Sequence, residues 1–242
     1  MALYIVSLPI GHPDDITLRA INVLKKADFL ICEELKNGRR LLKKLEIVKK
    51  LYNINEHNEA DDTEDIIKLL KQGKNAALFS DCGTPLFADP GTYLVSRCHE
   101  SKIKVIPVPG ASSLLSALAI AGTNIKQFYF AGFLSRKSEE RQKEIKSFEH
   151  YQCPVIIYDT PYRLNALLND IDIATSKDRN IKLFVSLTQP DEKILFGTVK
   201  SILNDLKKNP FKKEFVLLLE PQLVKNRSMP SKQQRPRKKR YY

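Results

Sequence analysis

Three short turns carry the residues of this sequence that are best suited to holding a small molecule. They are P-I-G at 9–11, D-C-G-T-P at 81–85 and V-P-G-A-S-S at 108–113, and each follows an apolar run typical of a buried strand. Glycine and proline restrict or extend the backbone angles there, so N–H and C=O groups are held at defined positions. In open α/β sheets, ligands bind at the carboxyl ends of the strands. The pattern predicts a ligand cleft lined by loops, although such turns also occur as plain connections.

Several other chemistries are disfavoured by what these turns lack. None has the G-x-x-x-x-G-K-[ST] pattern of a nucleoside triphosphatase, the G-x-G-x-x-G of a dinucleotide enzyme or a G-x-S-x-G elbow. The four cysteines form no C-x-x-C pair and the four histidines are scattered, so we expect reduced thiols and no metal site.

Predicted strands and helices alternate along the whole chain, which indicates an α/β fold with mainly parallel sheets. Two strands predicted at 181–187 and 194–198 suggest that a second sheet is mixed. We expect an N-terminal α/β domain over 1–109, a C-terminal α/β domain over 110–220, and a cleft between them. Asp14 or Asp15 is the expected cap of the first helix, and Thr63 the expected cap of a later one.

The positive charge of the chain is concentrated near its end. The net charge of the 242 residues is +12, and eight of these charges lie in 221–242, where no acid follows Glu220. We expect this segment to lack regular structure, and either to bind nucleic acid in a salt-sensitive way or to serve as a solvated end. No apolar run reaches the roughly 18 residues of a membrane span. A cytoplasmic protein without membrane contact is expected.

A basic run, R-R-L-L-K-K-L, begins at Arg39 and Arg40 and has helical spacing of its leucines. It is either an ordinary amphipathic surface helix or a helix that faces phosphates beside the cleft.

Larger stretches of the sequence also form an ordered set of motifs: L-Y-I-V-S-L-P-I-G-H-P-D-D-I-T-L-R-A at 3–20, S-D-C-G-T-P-L-F-A-D-P-G at 80–91, I-P-V-P-G-A-S-S-L-L-S-A-L at 106–118 and G-F-L-S-R-K-S at 132–138, with weaker matches in Y-D-T-P-Y-R at 158–163 and G-T-V at 197–199. Together they resemble a family of bacterial methyltransferases that modify the 2′-hydroxyl of a cytidine in small-subunit ribosomal RNA. This family belongs to the tetrapyrrole methylase superfamily, whose members use S-adenosylmethionine (SAM).

The resemblance implies two α/β domains with SAM bound in the cleft between them, and a homodimer. Asp81 would be the acid that contacts the cofactor, with capping of its own turn as the alternative role. By position in the motifs, the cofactor-binding residues would be Pro9, Ile10, Gly11, Asp81, Gly83, Thr84, Pro85, Leu86, Phe87, Ser112 and Ser113.

The substrate side departs from the family pattern. E-E-L-K at 33–36 stands where the family has E-D-T-R, and Ser186 and Gln189 replace a Glu and a Lys of E-L-T-K. The family often has a small helical domain where this sequence has its basic segment. The candidates for catalysis are Glu33, Glu34 and Lys36. The candidates for RNA binding are Arg39, Arg40, Arg136, Lys137, Arg237, Lys238, Lys239 and Arg240.

Three functions are compatible with these observations. The first is SAM-dependent 2′-O-methylation of ribosomal RNA, with the small ribosomal subunit as partner. The second is methylation of a small molecule such as a tetrapyrrole. The third is a non-catalytic, SAM-binding protein of the ribosome, suggested by the departures at Leu35, Lys36, Ser186 and Gln189.

Overall fold

The computed structural model describes residues 1–55, 59–87, 89–175 and 179–222. These residues form two five-stranded sheets, one from each half of the chain. The predicted α/β class is therefore confirmed. The basic residues Arg237, Lys238, Lys239 and Arg240 lie outside the described part of the chain.

The first sheet is entirely parallel and has the strand order β3-β2-β4-β1-β5. β2 and β4 are buried at every position, because helices cover both faces of the sheet. The strands are β1 (Ala2–Val6), β2 (Phe29–Cys32), β3 (Lys50–Asn53), β4 (Ala76–Phe79) and β5 (Lys104–Val108), and the helices are α1 (Leu18–Lys26), α2 (Leu35–Lys44), α3 (Glu59–Lys71) and α4 (Thr92–Glu100).

The second sheet is mixed, as the sequence predicted. Its order is β6-β7-β10-β8-β9, in which only the β6–β7 pair is parallel. Its strands are β6 (Tyr129–Phe133), β7 (Val155–Asp159), β8 (Asn180–Val185), β9 (Lys193–Thr198) and β10 (Phe215–Leu219), and its helices are α5 (Ser113–Ala119), α6 (Ser138–Ser147), α7 (Leu164–Ala174) and α8 (Val199–Lys208).

The order of the first sheet explains where the site forms. β4, β1 and β5 are neighbours, and all three run in the same direction. Their carboxyl ends therefore lie side by side at one edge of the sheet. The three turns identified in the sequence follow these three strands.

Two predicted helix caps are wrong. Thr17 caps α1 by accepting a hydrogen bond from the Ala20 N–H (3.0 Å), while Asp14 and Asp15 lie in a separate 3₁₀ turn. Thr63 lies inside α3 and is fully buried, because this helix begins at Glu59. The acidic run at 59–62 suits the first turn of a helix, where negative charge is favoured, so the helix extends further toward its N-terminus.

Within the described ranges, no helix is both long and apolar enough to cross a membrane.

Candidate active site

The three turns are joined by hydrogen bonds. Leu8 and Gly83 form a two-way backbone bridge, with the Leu8 N–H 2.8 Å from the Gly83 oxygen and the Gly83 N–H 3.1 Å from the Leu8 oxygen. The Thr84 hydroxyl lies 2.9 Å from the Ser7 hydroxyl and 3.1 Å from the Ala111 carbonyl oxygen, to which it donates. Thr84 thus links the turns after β1, β4 and β5 into one wall.

The second domain meets this wall through the loop at 186–189. The backbone N–H of His12 donates to the Thr188 hydroxyl at 2.9 Å. Gly11 packs so closely that a Cβ at this position would lie 2.6 Å from the Leu187 carbonyl oxygen and 2.7 Å from the Thr188 hydroxyl. Such distances are shorter than any ordinary contact, so the approach of the two domains requires glycine here.

A cavity of about 230 Å³ lies between the two domains at this junction. Both halves of the chain contribute to its lining. The first domain contributes Ile10, Cys82, Gly83, Thr84, Phe87 and Asp89. The second domain contributes Ser112, Ser113, Leu114, Phe133, Tyr158, Asp159, Phe184, Leu187, Gln189, Glu214, Phe215 and Val216.

The lining is acidic and aromatic, and no lysine, arginine or histidine of the described residues belongs to it. Desolvation raises the pKa of the Asp89 carboxyl, a rise that hydrogen bonds with Ser80 and with the Leu86 backbone oppose. Desolvation also raises the pKa of Glu214. The carboxylate of Asp159 is buried and paired with Arg163 at 3.3 Å. Carboxylates and aromatic rings suit a ligand that carries positive charge, and the absence of basic groups disfavours a phosphate.

Four aromatic rings form a connected cluster at the cavity. The Tyr158 hydroxyl lies 2.7 Å from the Ser113 hydroxyl, which fixes the ring against α5. Phe130 and Phe133 pack edge-to-face on the Tyr158 ring, with centroid distances of 5.0 and 6.1 Å. Phe87 packs on Phe130 at 6.2 Å and remains 61% exposed.

The predicted cofactor residues divide into two groups. Ile10, Gly83, Thr84, Phe87, Ser112 and Ser113 line the cavity, whereas Pro9, Gly11, Asp81, Pro85 and Leu86 do not. Asp81 lies at the surface, where its carboxylate accepts a hydrogen bond from the Asn37 side chain of α2. Asp89, in the same loop, is the acid that reaches the cavity.

The predicted catalytic residues lie outside the cavity lining. The Glu34 carboxylate caps α2 by accepting from the Lys36 N–H at 3.1 Å, and the Lys36 side chain is exposed. Glu33 lines a small recess, and the lining of this recess also includes Pro85 and Asp89. Asp89 is thus shared between the recess and the main cavity.

Four of the predicted RNA-binding residues lie in the described part of the chain, and all four are exposed. Arg39 and Arg40 are on α2, while Arg136 and Lys137 are in the loop after β6.

Strained backbone angles mark two loops of the site. Leu86 has φ of 74°, Ser186 of 51° and Thr188 of 64°, in the left-handed region that non-glycine residues rarely adopt. Such angles are often found at ligand sites, where the surrounding structure enforces them. Ser186 and Gln189, the departures noted in the sequence, therefore fall in a loop whose shape is tightly specified.

Several residues that line the cavity are not among those predicted from the sequence: Asp89, Phe133, Tyr158, Phe184, Glu214 and Val216. Asp89 sits in the D-P-G end of the recognised motif, so the motif itself contained that signal. Phe184, Glu214 and Val216 come from strands or turns whose pairing is non-local, and nothing in the local pattern separates them from ordinary core positions.

Comparison with known proteins shows to which family the chain is related. The family described as Tetrapyrrole (Corrin/Porphyrin) Methylases matches residues 2–203. The chain belongs to the tetrapyrrole methylase family. The resemblance found in the motifs is thereby confirmed.

Within this family, the chain is similar to several proteins named Ribosomal RNA small subunit methyltransferase I. The protein of Escherichia coli O157:H7 is 36% identical, over 95% of this chain and 81% of its own length. That of Synechocystis is 35% identical, over 90% of this chain and 78% of its own. That of Bacillus subtilis is also 35% identical, over 90% and 74%.

Solved structures of tetrapyrrole methylases share the fold at lower identity. A cobalt precorrin-4 methyltransferase superposes with a TM-score of 0.63, at 19% identity, over 90% of this chain and 94% of its own. A uroporphyrin-III-C-methyltransferase from Thermus thermophilus gives a TM-score of 0.61, also at 19% identity. The two-domain α/β arrangement predicted from the sequence is therefore confirmed.

Proposed function

We propose that the chain transfers a methyl group from SAM to the 2′-hydroxyl of a cytidine in small-subunit ribosomal RNA. The observation that carries the proposal is the inter-domain cavity, which is acidic, aromatic and free of basic lining residues in the described chain. The curated relatives named as small-subunit rRNA methyltransferases supply the substrate class.

The residues of the cavity fit SAM, which carries a cationic sulfonium, an ammonium group and a flat adenine. Asp89 would pair with a positive group of the cofactor, since it is the half-buried acid of the first-domain wall. Hydroxyls of Thr84, Ser112 and Ser113 offer hydrogen bonds, and the rings of Tyr158 and Phe184 offer apolar contact. When bound, the cofactor supplies an electrophilic methyl group.

The protein's part in the reaction is to position the two reactants and to accept a proton. The network through Thr84 holds the turns rigid, so that the donor can be fixed in line with the attacking hydroxyl. Removal of the hydroxyl proton needs a nearby acceptor or an orienting group. Glu33, Glu34 and Lys36 stay our candidates for this role, and Glu33 lines a recess that shares Asp89 with the cavity.

RNA would approach over the exposed basic groups of α2 and of the loop after β6. Phosphate contacts by Arg39, Arg40, Arg136 and Lys137, together with the basic residues of 221–242, would make binding salt-dependent. A cytoplasmic location and a homodimer are part of the same proposal.

Transfer of tritiated methyl groups from SAM to small ribosomal subunits that lack the modification tests the function directly. We expect labelling of the RNA by the native protein and about tenfold weaker labelling, or less, by Asp89→Asn at the same subsaturating SAM concentration. A deletion strain with an unchanged content of 2′-O-methylcytidine would contradict the rRNA assignment.

A small-molecule substrate is the second candidate, favoured by the fold shared with enzymes named for cobalt precorrin-4 and uroporphyrin-III. Substrate binding that does not change with salt would support it over RNA. Tight SAM binding without turnover on any ribosomal particle would instead support a non-catalytic ribosomal protein.

A further inference from the structure

The β6 strand contains an irregularity that places two phenylalanines on the same face. Its pairing with β7 shifts register between Phe130 and Gly132, and Gly132 has a φ of 65°. In a regular strand, residues three apart point to opposite faces. Because of the bulge, Phe130 and Phe133 both pack on Tyr158, at the cavity. Bulges near active sites commonly redirect a side chain in this way.

Phe133 nevertheless stays 52% exposed, although it lines the cavity. Its ring is supported on one side by Tyr158 and faces solvent on the other. Phe87 is similarly exposed and belongs to the first-domain wall. Exposed aromatic rings that line a ligand cavity offer a flat surface on which the ring of a partner can stack.

Two arginines hold the loop that follows Phe133. Arg163 donates to the carbonyl oxygens of Leu134 (3.1 Å) and Ser135 (2.8 Å), and Arg141 donates to those of Ser135 (2.9 Å) and Arg136 (3.1 Å). The guanidinium groups are themselves anchored: Arg163 by Asp159, and Arg141 by Asp170 at 2.7 Å.

These contacts give the loop a fixed shape. The backbone between Phe133 and Lys137 is held by these hydrogen bonds, and the side chains of Phe133, Arg136 and Lys137 are exposed. A flat ring and two basic side chains therefore lie on one ordered segment of backbone, with the Lys137 ammonium 3.1 Å from the Glu140 carboxylate.

We propose that Phe133 is a stacking platform for the base of the target nucleotide, or of its immediate neighbour, when the RNA strand is splayed at the cavity opening. The inference rests on the proposed function and names how its substrate is recognised. Sequence-specific recognition of RNA commonly targets unpaired nucleotides, whose unstacked bases are received by aromatic side chains. Arg136 and Lys137 would contact the phosphates that flank this base.

The stacking role of Phe133 is tested by comparing variants at two exposed phenylalanines of the second domain. Phe133→Leu removes the flat ring but keeps an apolar side chain, and Phe133→Tyr keeps the ring. Phe196→Leu is the control, because Phe196 is 77% exposed on β9 and does not line the cavity. The measurements are kcat and KM with unmodified small subunits, the Kd of S-adenosylhomocysteine by calorimetry, and the molar mass by light scattering.

We expect Phe133→Leu to lower kcat/KM for the subunit by about tenfold or more, the usual effect of losing one base–aromatic stack. Phe133→Tyr should retain most of the activity, and Phe196→Leu all of it. The Kd of S-adenosylhomocysteine and the molar mass should be unchanged in each variant. The affinity loss in Phe133→Leu should be the same at every salt concentration, whereas Arg136→Ala should reduce the salt dependence.

Three outcomes would overturn the inference: an unchanged kcat/KM in Phe133→Leu, a matching loss of cofactor affinity, or a change of oligomeric state. The second would make Phe133 a cofactor contact, and the third would place it in a subunit interface. Failure of the proposed function is recognised separately, because the native protein would then show no transfer to RNA before any variant is compared.

Discussion

At the scale of single residues, the two acids of the 80–91 loop have different environments. Asp81 is exposed and bonded to Asn37, whereas Asp89 is half-buried and lines the cavity. A carboxylate that has lost water interacts more strongly with a cation than one in bulk solvent. Asp89 is therefore a better candidate than the predicted Asp81 for the acid that would hold a cationic cofactor.

We expect Asp89→Asn to weaken SAM binding by about tenfold or more, the cost of removing one partner from a desolvated charge pair. Asp81→Asn should change it far less. Because desolvation raises the pKa of Asp89, its carboxylate becomes neutral at a higher pH than an ordinary aspartate. The affinity of the native protein for SAM should fall as the pH is lowered through that pKa, and the affinity of Asp89→Asn should not follow. Calorimetry across pH measures both.

A reversed result, in which Asp81→Asn loses SAM and Asp89→Asn keeps it, would restore Asp81 as the cofactor acid. Thermal unfolding of both variants provides the control, since equal melting temperatures exclude a general loss of structure.

At the scale of the elements, α6 and α7 are joined by a buried ion pair beneath the loop after β6. The side chains of Arg141 and Asp170 are 5% and 6% exposed, and Ser138 and Gln142 complete the bonding of the carboxylate. Burial alone would raise the pKa of Asp170, but hydrogen bonds from Gln142, Ser138 and Arg141 outweigh it, so the pKa is lowered.

Asp170→Asn leaves the Arg141 charge buried without its partner, and we expect a loss of about 3 kcal/mol of unfolding free energy. A lowered pKa in the folded state means that the ionised carboxylate stabilises the fold above the unfolded value of about 3.9 and loses this effect as the pH falls through the folded value. The difference in unfolding free energy between the native protein and Asp170→Asn should therefore become smaller only in strong acid. Urea unfolding at several pH values measures it. Lys68→Gln, which removes an exposed pair on α3, should leave the midpoint unchanged.

The same elements show how far the sequence could predict the site. The turns after β1, β4 and β5 were placed correctly because glycine, proline and apolar runs mark them locally. The position of Phe133 was not predictable, because it depends on a register shift against β7, which forms only when the strands pair. Glu214 lines the cavity because it directly precedes β10, which is antiparallel to both of its neighbours and comes late in the chain. Local composition contains no information on such pairings.

At the scale of the whole molecule, the two domains make a close contact at Gly11. The loop at 9–12 and the loop at 186–189 meet there, and both border the cavity through Ile10, Leu187 and Gln189. The strained backbone angles of Ser186 and Thr188 indicate that the conformation of the loop at 186–189 is restricted, so that the loop cannot easily move away from Gly11. The geometry of the cavity therefore depends on a contact that tolerates no additional atom.

Gly11→Ala tests this dependence. The added methyl would overlap the Leu187 carbonyl and the Thr188 hydroxyl, so the domains must separate at the cavity, and we expect the affinity for SAM to fall by about tenfold or more, as misplaced binding groups commonly cause. Gly73→Ala is the matched control: its φ of 92° makes alanine unfavourable, yet nothing lies within 4 Å of the added Cβ, and the site is remote from the cavity. It should lower the melting temperature and leave SAM affinity intact. If Gly11→Ala instead binds SAM like the native protein, the loops adjust freely and the inter-domain contact does not set the shape of the site.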